Sequence, residues 1–219
     1  MPADNDTLPT LIPRSVLFGN PERVSPQLSP DGTRLAYAAP LDGVMNVFVR
    51  TVGAEDDRPV TRETVRPVRS FQWSEDGRYL LYPQDVGGDE NFHVLCAPAD
   101  GDGAATRDLT PGEGVRASVV ATDPAFLGTV LVSTNRRDPR VMDVYRCDLA
   151  TGELTPAAEN PGNLVGWTAD RTLAVRAAVA TRPDGGSDLR VRDSAEGEWR
   201  TLVSVPFGET ASPLAFSDY

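Results

Sequence analysis

Short apolar runs bounded by turn residues recur along this chain, and none sustains the 3.6-residue period of an amphipathic helix. Leu28-Ser29-Pro30-Asp31-Gly32 leads into the apolar run Leu35-Ala36-Tyr37-Ala38-Ala39. An Asp-Gly pair ahead of such a run is a hairpin signal, because the turn takes positive φ. Trp73-Ser74-Glu75-Asp76-Gly77 repeats the pattern 45 residues later. Trp167-Thr168-Ala169-Asp170-Arg171 repeats it without the glycine, and Phe216-Ser217-Asp218-Tyr219 begins it again 49 residues after Thr168. In the 94 residues between Ser74 and Thr168, Ala121-Thr122-Asp123-Pro124 sits midway as a degenerate copy.

A second marker keeps the same period. Polar residues lead strand-like runs at Asn46-Val47-Phe48-Val49, His93-Val94-Leu95-Cys96, Asp143-Val144-Tyr145-Arg146 and Asp188-Leu189-Arg190-Val191, spaced 47, 50 and 45 apart. Each unit therefore reads as four short strands. In the second unit they are expected near Ser70–Trp73, Tyr79–Tyr82, Phe92–Ala97 and Thr106–Thr110. Turns at Asp42-Gly43, Asp100-Gly101, Thr151-Gly152 and Asp184-Gly185 separate such strands. Ser15-Val16-Leu17-Phe18 is the one candidate for a short helical turn.

Four strands per unit of 45–50 residues is the signature of a β-propeller blade. The expected fold is all-β: a partial propeller of about four four-stranded antiparallel blades plus the first strand of a fifth. The blades fall at 23–68, 69–115, 116–162 and 163–211; the fifth begins at 212–219, and a lead-in segment occupies 1–22. A β-sandwich with regular turns is the alternative. Tyr37, Leu35, Leu80 and Tyr82 are expected to pack blade on blade, as are Trp73 and Trp167. An arc of four blades leaves its end faces apolar, so self-association is expected.

Composition removes several functions. There are 32 acidic and 21 basic residues, a formal charge of −11, and every cation is an arginine. That balance disfavours nucleic acid and anionic membrane as partners. Without lysine there is no Schiff-base or P-loop lysine. No run reaches the roughly 20 apolar residues of a membrane span. The opening residues lack a basic and apolar leader, so a cytoplasmic location is expected. In that compartment Cys96 and Cys147 read as packed, reduced thiols.

Catalytic and ligand motifs are sparse. No Gly-x-Ser-x-Gly elbow occurs, and His93 is the sole histidine, so no triad can be assembled. Its repeat equivalents are Asn46, Asp143 and Asp188, which suggests a polar strand-start residue bonded to nearby backbone. Asp100-Gly101-Asp102-Gly103 opens like a calcium loop, but its twelfth position is Pro111. Gly112–Ala117 fits a dinucleotide fingerprint but leads into no helix. No catalytic residue, cofactor or metal is therefore expected. Gly87-Gly88-Asp89-Glu90-Asn91 forms an acidic loop between the second and third strands of the second unit. Arg136-Arg137-Asp138 falls in the matching loop of the third and is expected to form ion pairs.

Longer words carry a family resemblance. The stretch from Ile12 to Arg50, then Gln84–Val94, Asn135–Leu154, Asn160-Pro161-Gly162 and Val175–Ala178 resemble the N-terminal propeller of bacterial serine peptidases of the prolyl oligopeptidase family, on its acylaminoacyl- and dipeptidyl-peptidase side. The resemblance covers about 11–219. It implies a C-terminal α/β-hydrolase domain as partner, bearing a Ser-Asp-His triad, with the propeller admitting only small peptides. This chain departs by reaching about four blades, where seven would need about 330 residues. The resemblance also implies that an acidic propeller residue can bind a substrate's amino terminus, for which Asp89 and Glu90 are the candidates. The alternative is a stand-alone propeller scaffold, closed at four blades, that binds a protein or peptide partner.

Overall fold

The computed structural model describes residues 11–18 and 22–217. After a five-residue helix, α1 (Arg14–Phe18), come sixteen strands in four sheets. Blade one holds β1 (Val24–Leu28), β2 (Arg34–Leu41), β3 (Val44–Thr51) and β4 (Arg58–Pro59). Blade two holds β5 (Gln72–Trp73), β6 (Tyr79–Gln84), β7 (His93–Pro98) and β8 (Arg107–Asp108). Blade three holds β9 (Ala117–Ala121), β10 (Thr129–Thr134), β11 (Asp143–Asp148) and β12 (Leu154–Ala158). Blade four holds β13 (Leu164–Ala169), β14 (Val175–Thr181), β15 (Ser187–Val191) and β16 (Arg200–Val205). In every blade consecutive strands pair antiparallel. Four separate meanders replace the two packed sheets that a sandwich needs.

Register explains the second sequence marker. Asn46, His93, Asp143 and Asp188 all lie within the first three residues of a third strand, opposite Ala39, Gln84, Thr134 and Ala180. Alternate residues of the middle strands then face neighbouring blades. Ala36, Ala38, Val47 and Val49 of blade one pack on Trp73, Leu80 and Tyr82 of blade two. Leu81 and Cys96 of blade two meet Val130, Val132 and Cys147 of blade three. Leu131 and Val144 then meet Leu173 and Val175 of blade four. Each fully buried leucine in these layers removes enough surface from water to contribute about 2 kcal/mol. Among the described residues, no core cluster joins blade four to blade one.

Arginines stitch successive blades together at backbone carbonyls. Arg34 reaches Gly77 O at 2.5 Å while lying over the Trp73 ring, and Arg58 reaches Ala99 O at 3.0 Å. Arg107 bonds Ala150 O and Leu149 O at 2.7 and 3.0 Å, and Arg146 bonds Leu173 O. A guanidinium offers donors in a fork, so one side chain can satisfy two carbonyls of the next blade. Trp73 and Trp167 are packing residues as expected: their indole N–H groups donate to Gln27 O and Met142 O of the preceding blade.

Several expectations need correction. Asp31-Gly32 is not a two-residue hairpin; Ser29 and Arg34 close a longer loop, with Ser29 Oγ accepting from Arg34 N at 2.9 Å. The true two-residue turn is Asp42-Gly43, with φ of 51° and 85°, between Leu41 and Val44. In the fourth unit Asp170, not Thr168, closes the turn, bonding Ala174 in both directions. Thr168 instead donates to Pro213 O. Gly112–Ala117 leads into strand β9, as its lack of helix signals implied. Residues 212–217, where a fifth blade was expected to begin, form no ladder; Asp218 and Tyr219 lie outside the described residues, as do 1–10 and 19–21 of the lead-in. No described helix is long and apolar enough to cross a membrane.

Candidate functional site

The connections between second and third strands lie at one rim of the blades, and they differ in length. Blade one has only Asp42-Gly43, whereas Asp85–Phe92 and Asn135–Met142 form longer loops in blades two and three. In the first of these, Asp85 is 3% exposed and anchors the loop base. Its carboxylate accepts from Arg66 at 2.9 and 3.2 Å and from Glu90 N at 3.3 Å. Burial pushes the Asp85 carboxyl up, but these donors outweigh it and hold it below the usual range.

The two predicted site residues sit side by side and behave differently. Asp89 is exposed and closes an Asx turn: Asn91 donates to it from backbone N at 3.0 Å and from Nδ2 at 3.1 Å. Those bonds lower its pKa. Glu90 has φ 60°, a conformation that non-glycine residues adopt sparingly. The turn of Asp89 and the anchor at Asp85 impose it. The Glu90 carboxylate is exposed and, among the described residues, receives no hydrogen bond or ion pair. One acid is therefore structural and the other is free to meet a cation.

The blade-three loop is basic and self-paired. Arg137 holds Asp143 through two bonds of 2.5 and 2.9 Å and also reaches Asn160 O, while Arg140 pairs with Asp138. The expected ion pairs are present, and a polar cavity of about 440 Å³ lies between this loop and Glu159–Gly162. The Arg140 guanidinium and backbone bonds hold Asp138 well below the usual carboxylate range.

His93 corrects a sequence expectation. It bonds a side chain, not the backbone: Nδ1 lies 2.6 Å from Asp108 Oδ2 on β8. At the equivalent site Asn46 does bond backbone, donating to Val44 O and Glu63 O. Asn46 also reaches across toward the outer strand, accepting from Thr61 Oγ1 and Glu63 N, so the two sites differ in what faces them: a hydroxyl in blade one and the Asp108 carboxylate in blade two. Both cysteines are free and buried, and burial pushes their thiols up to about 12 for Cys96 and about 11 for Cys147. Thiols held that high stay protonated at neutral pH.

Sequence reasoning missed the opening beside β5. It lies between blades two and three and is lined by Ser70, Pro83 and Ser118. Pro83, one residue past the expected strand Tyr79–Tyr82, was the available signal.

Comparison with known proteins follows the same lines. The chain is 40% identical over 206 residues to dipeptidyl aminopeptidase BIII of Pseudoxanthomonas mexicana, covering 93% of this chain and 30% of that protein. It is 31% identical to dipeptidyl peptidase family member 6 of Caenorhabditis elegans, again over 94% of this chain and 30% of the relative. The chain thus spans about 30% of the length of these curated relatives. A prolyl endopeptidase structure matches its fold with a TM-score of 0.57 at 20% identity, covering 84% of this chain and 28% of that one. TolB from Acinetobacter baumannii matches with a TM-score of 0.54 at 15% identity, covering 83% and 43%. No protein-family model matches the chain. Its relatives and its four-stranded blades agree: over nearly its whole length the chain is similar to one part of two dipeptidyl peptidases, and its fold is a partial β-propeller like that in a solved prolyl endopeptidase.

Proposed function

We propose that this chain is the substrate-admitting propeller of a serine peptidase, working with an α/β-hydrolase domain and selecting small peptides. The single observation that carries this is the 40% identity to a dipeptidyl aminopeptidase across nearly the whole chain. Within it, Glu90 is the substrate-binding acid and Asp89 its positioning neighbour. An ammonium group needs an anionic acceptor that is not already committed, and the bonds from Asn91 commit Asp89 but not Glu90. The hydrolytic chemistry belongs to the partner domain, since this chain supplies no elbow serine and one histidine.

The test uses the chain itself. Alanyl-prolinamide, with a free amino end and no carboxylate, is titrated beside its N-acetylated form. Binding should weaken about tenfold on acetylation and about as much in Glu90→Gln, the size of one charge-assisted bond. Asp89→Asn should have the smaller effect. Equal binding of both probes overturns the role of Glu90. A fluorophosphonate probe should leave the chain unlabelled, and labelling at one serine overturns the division of labour between domains.

Val179 pairs with Leu189 across β14 and β15, and Val191 with Ala177; Val179, Leu189 and Val191 belong to no inter-blade core, which supports the expected self-association of this chain. A fifth blade beginning near Pro213 would cover that face. In support, Arg176 lies over the Phe216 ring as Arg34 lies over Trp73.

A further inference from the structure

The first strand of blade two leaves its sheet early. β5 pairs with β6 only at Gln72–Leu81 and Trp73–Leu80. In blade three the equivalent ladder runs on to Thr134–Ala117, at the rim where Thr134 also faces Asp143. The matching residue in blade two is Gln84, opposite His93, and it pairs with no first strand. Pro83 is the cause. Proline has no amide hydrogen to give the ladder, so the incoming chain is released there. Gln84 Nε2 reaches Arg66 O at 3.0 Å in place of the lost pairing.

The released segment leaves space beneath it. Two adjoining cavities of about 230 and 360 Å³ share Ser70, Pro83 and Ser118 as walls. The floor is apolar, from Phe71, Leu81 and Val119. At the mouth, Arg69 lines the larger cavity and is exposed. On the facing wall Ala117 is preceded by a second exposed arginine, Arg116. Among the described residues, neither guanidinium makes an ion pair, a hydrogen bond or a ring contact. The acid that lines the cavity, Asp85, is already held by Arg66 through two bonds. In a chain of net charge −11, an uncommitted cation lining an apolar cavity, with a second next in sequence to its wall, defines a ligand: an anionic group joined to an apolar one.

We infer that this opening binds the carboxylate end of a short peptide whose last side chain is apolar. The side chain enters the space under Ser70 and Pro83, and Arg69, with Arg116 beside it, takes the carboxylate. The assignment rests on the peptide reading above, and it names a second recognition point at the opposite end of the substrate from Glu90. The Ser70 and Ser118 hydroxyls line the same space and can bond a peptide backbone, which sets a peptide apart from a simple apolar acid.

The test is a titration of the chain with N-acetyl-alanyl-phenylalanine, its carboxamide and 3-phenylpropionate. The free acid should bind saturably and about tenfold more tightly than the amide, as one charge-assisted pair requires. Arg69→Ala should remove that preference, bringing acid and amide to one affinity, with circular dichroism confirming the fold. Arg116→Ala should reduce the preference less. Equal affinity for acid and amide, or no saturable binding, overturns the inference. Phenylpropionate binding as tightly as the peptide acid overturns the peptide assignment. Every probe here lacks a free amine, so failure here leaves the alanyl-prolinamide result standing, and the converse also holds.

Discussion

The turns that open the second strand show how differently two blades reach one backbone arrangement. In blade one three residues divide the work. Ser29 closes the loop, Asp31 binds Ser29 Oγ at 2.5 Å and Thr33 N at 3.0 Å, and Gly32 supplies φ 71°. Blade two repeats this with Ser74, Asp76 and Gly77. In blade four Asp170 does both polar jobs, accepting from Thr172 N and Ala174 N. The glycine position, three residues after the closing residue, is taken by Leu173 with φ 57°. Leu173 is 2% exposed and belongs to the core between blades three and four. The same carbonyl is bonded in each case, from Gly32 N to Ser29 O and from Leu173 N to Asp170 O. Blade four thus accepts local backbone strain and offsets it with burial; blades one and two avoid the strain and place no apolar side chain there.

Removing that burial should produce the largest effect. Leu173→Gly relieves a left-handed residue, a gain of about 1–2 kcal/mol. It also empties a fully packed leucine site, at a cost of about 3–5 kcal/mol. The expected net loss is about 2–3 kcal/mol, read as a lower urea midpoint. A variant more stable than the parent would mean that strain, not packing, dominates this turn.

The converse substitutions come next. Valine at either glycine must adopt positive φ, which a β-branched side chain tolerates poorly. A Cβ at Gly32 meets nothing within 4 Å, so Gly32→Val should cost only the strain, about 1–2 kcal/mol. At Gly77 the new carbon would lie 3.3 Å from Arg34 Nη2 and 3.5 Å from Pro30 Cδ. Arg34 is the arginine that bridges to blade two, so Gly77→Val should also weaken that bridge and cost about 2 kcal/mol. The order of the two thermal midpoints is the test; a larger loss at Gly32 would contradict it.

These turns also mark what was legible in the sequence. The repeat could be read because Ser-x-Asp-Gly turns and polar strand starts are local chemistry, fixed within five residues. Asp170 was harder to place. Thr168 stands where Ser29 and Ser74 led the eye, and only the ladder shows that one carboxylate has absorbed two roles. Asp89 and Glu90 could be located in their loop, but the difference between them depends on bonds from Asn91 that composition does not reveal. The opening beside β5 depends on where one ladder stops. Pro83 signals it locally, but the uncommitted state of Arg69 is a property of the packed chain.

The smallest effect concerns acid, and it separates the exposed carboxylate of blade one from its counterpart in blade four. Bonds from Ser29, then from Thr33 backbone and hydroxyl, lower the Asp31 pKa to about 2 from a usual 3.8. Asp170 is also lowered, but there burial pushes upward against the Thr172, Ala174 and Arg176 donors. A carboxylate with a depressed folded pKa contributes stability above its unfolded value, and that contribution is lost as pH falls through the folded one. Asp31 should therefore stabilise the chain fully above about pH 4 and cease to do so near pH 2. Asp31→Asn keeps an oxygen acceptor for Ser29 and Thr33 but cannot titrate. Its thermal midpoint should fall less than that of the parent between pH 4 and pH 2, and the two should converge at the acid end. Parallel curves over that interval would show that the Asp31 bonds hold the turn by geometry alone, as the turn of blade four is held by its leucine.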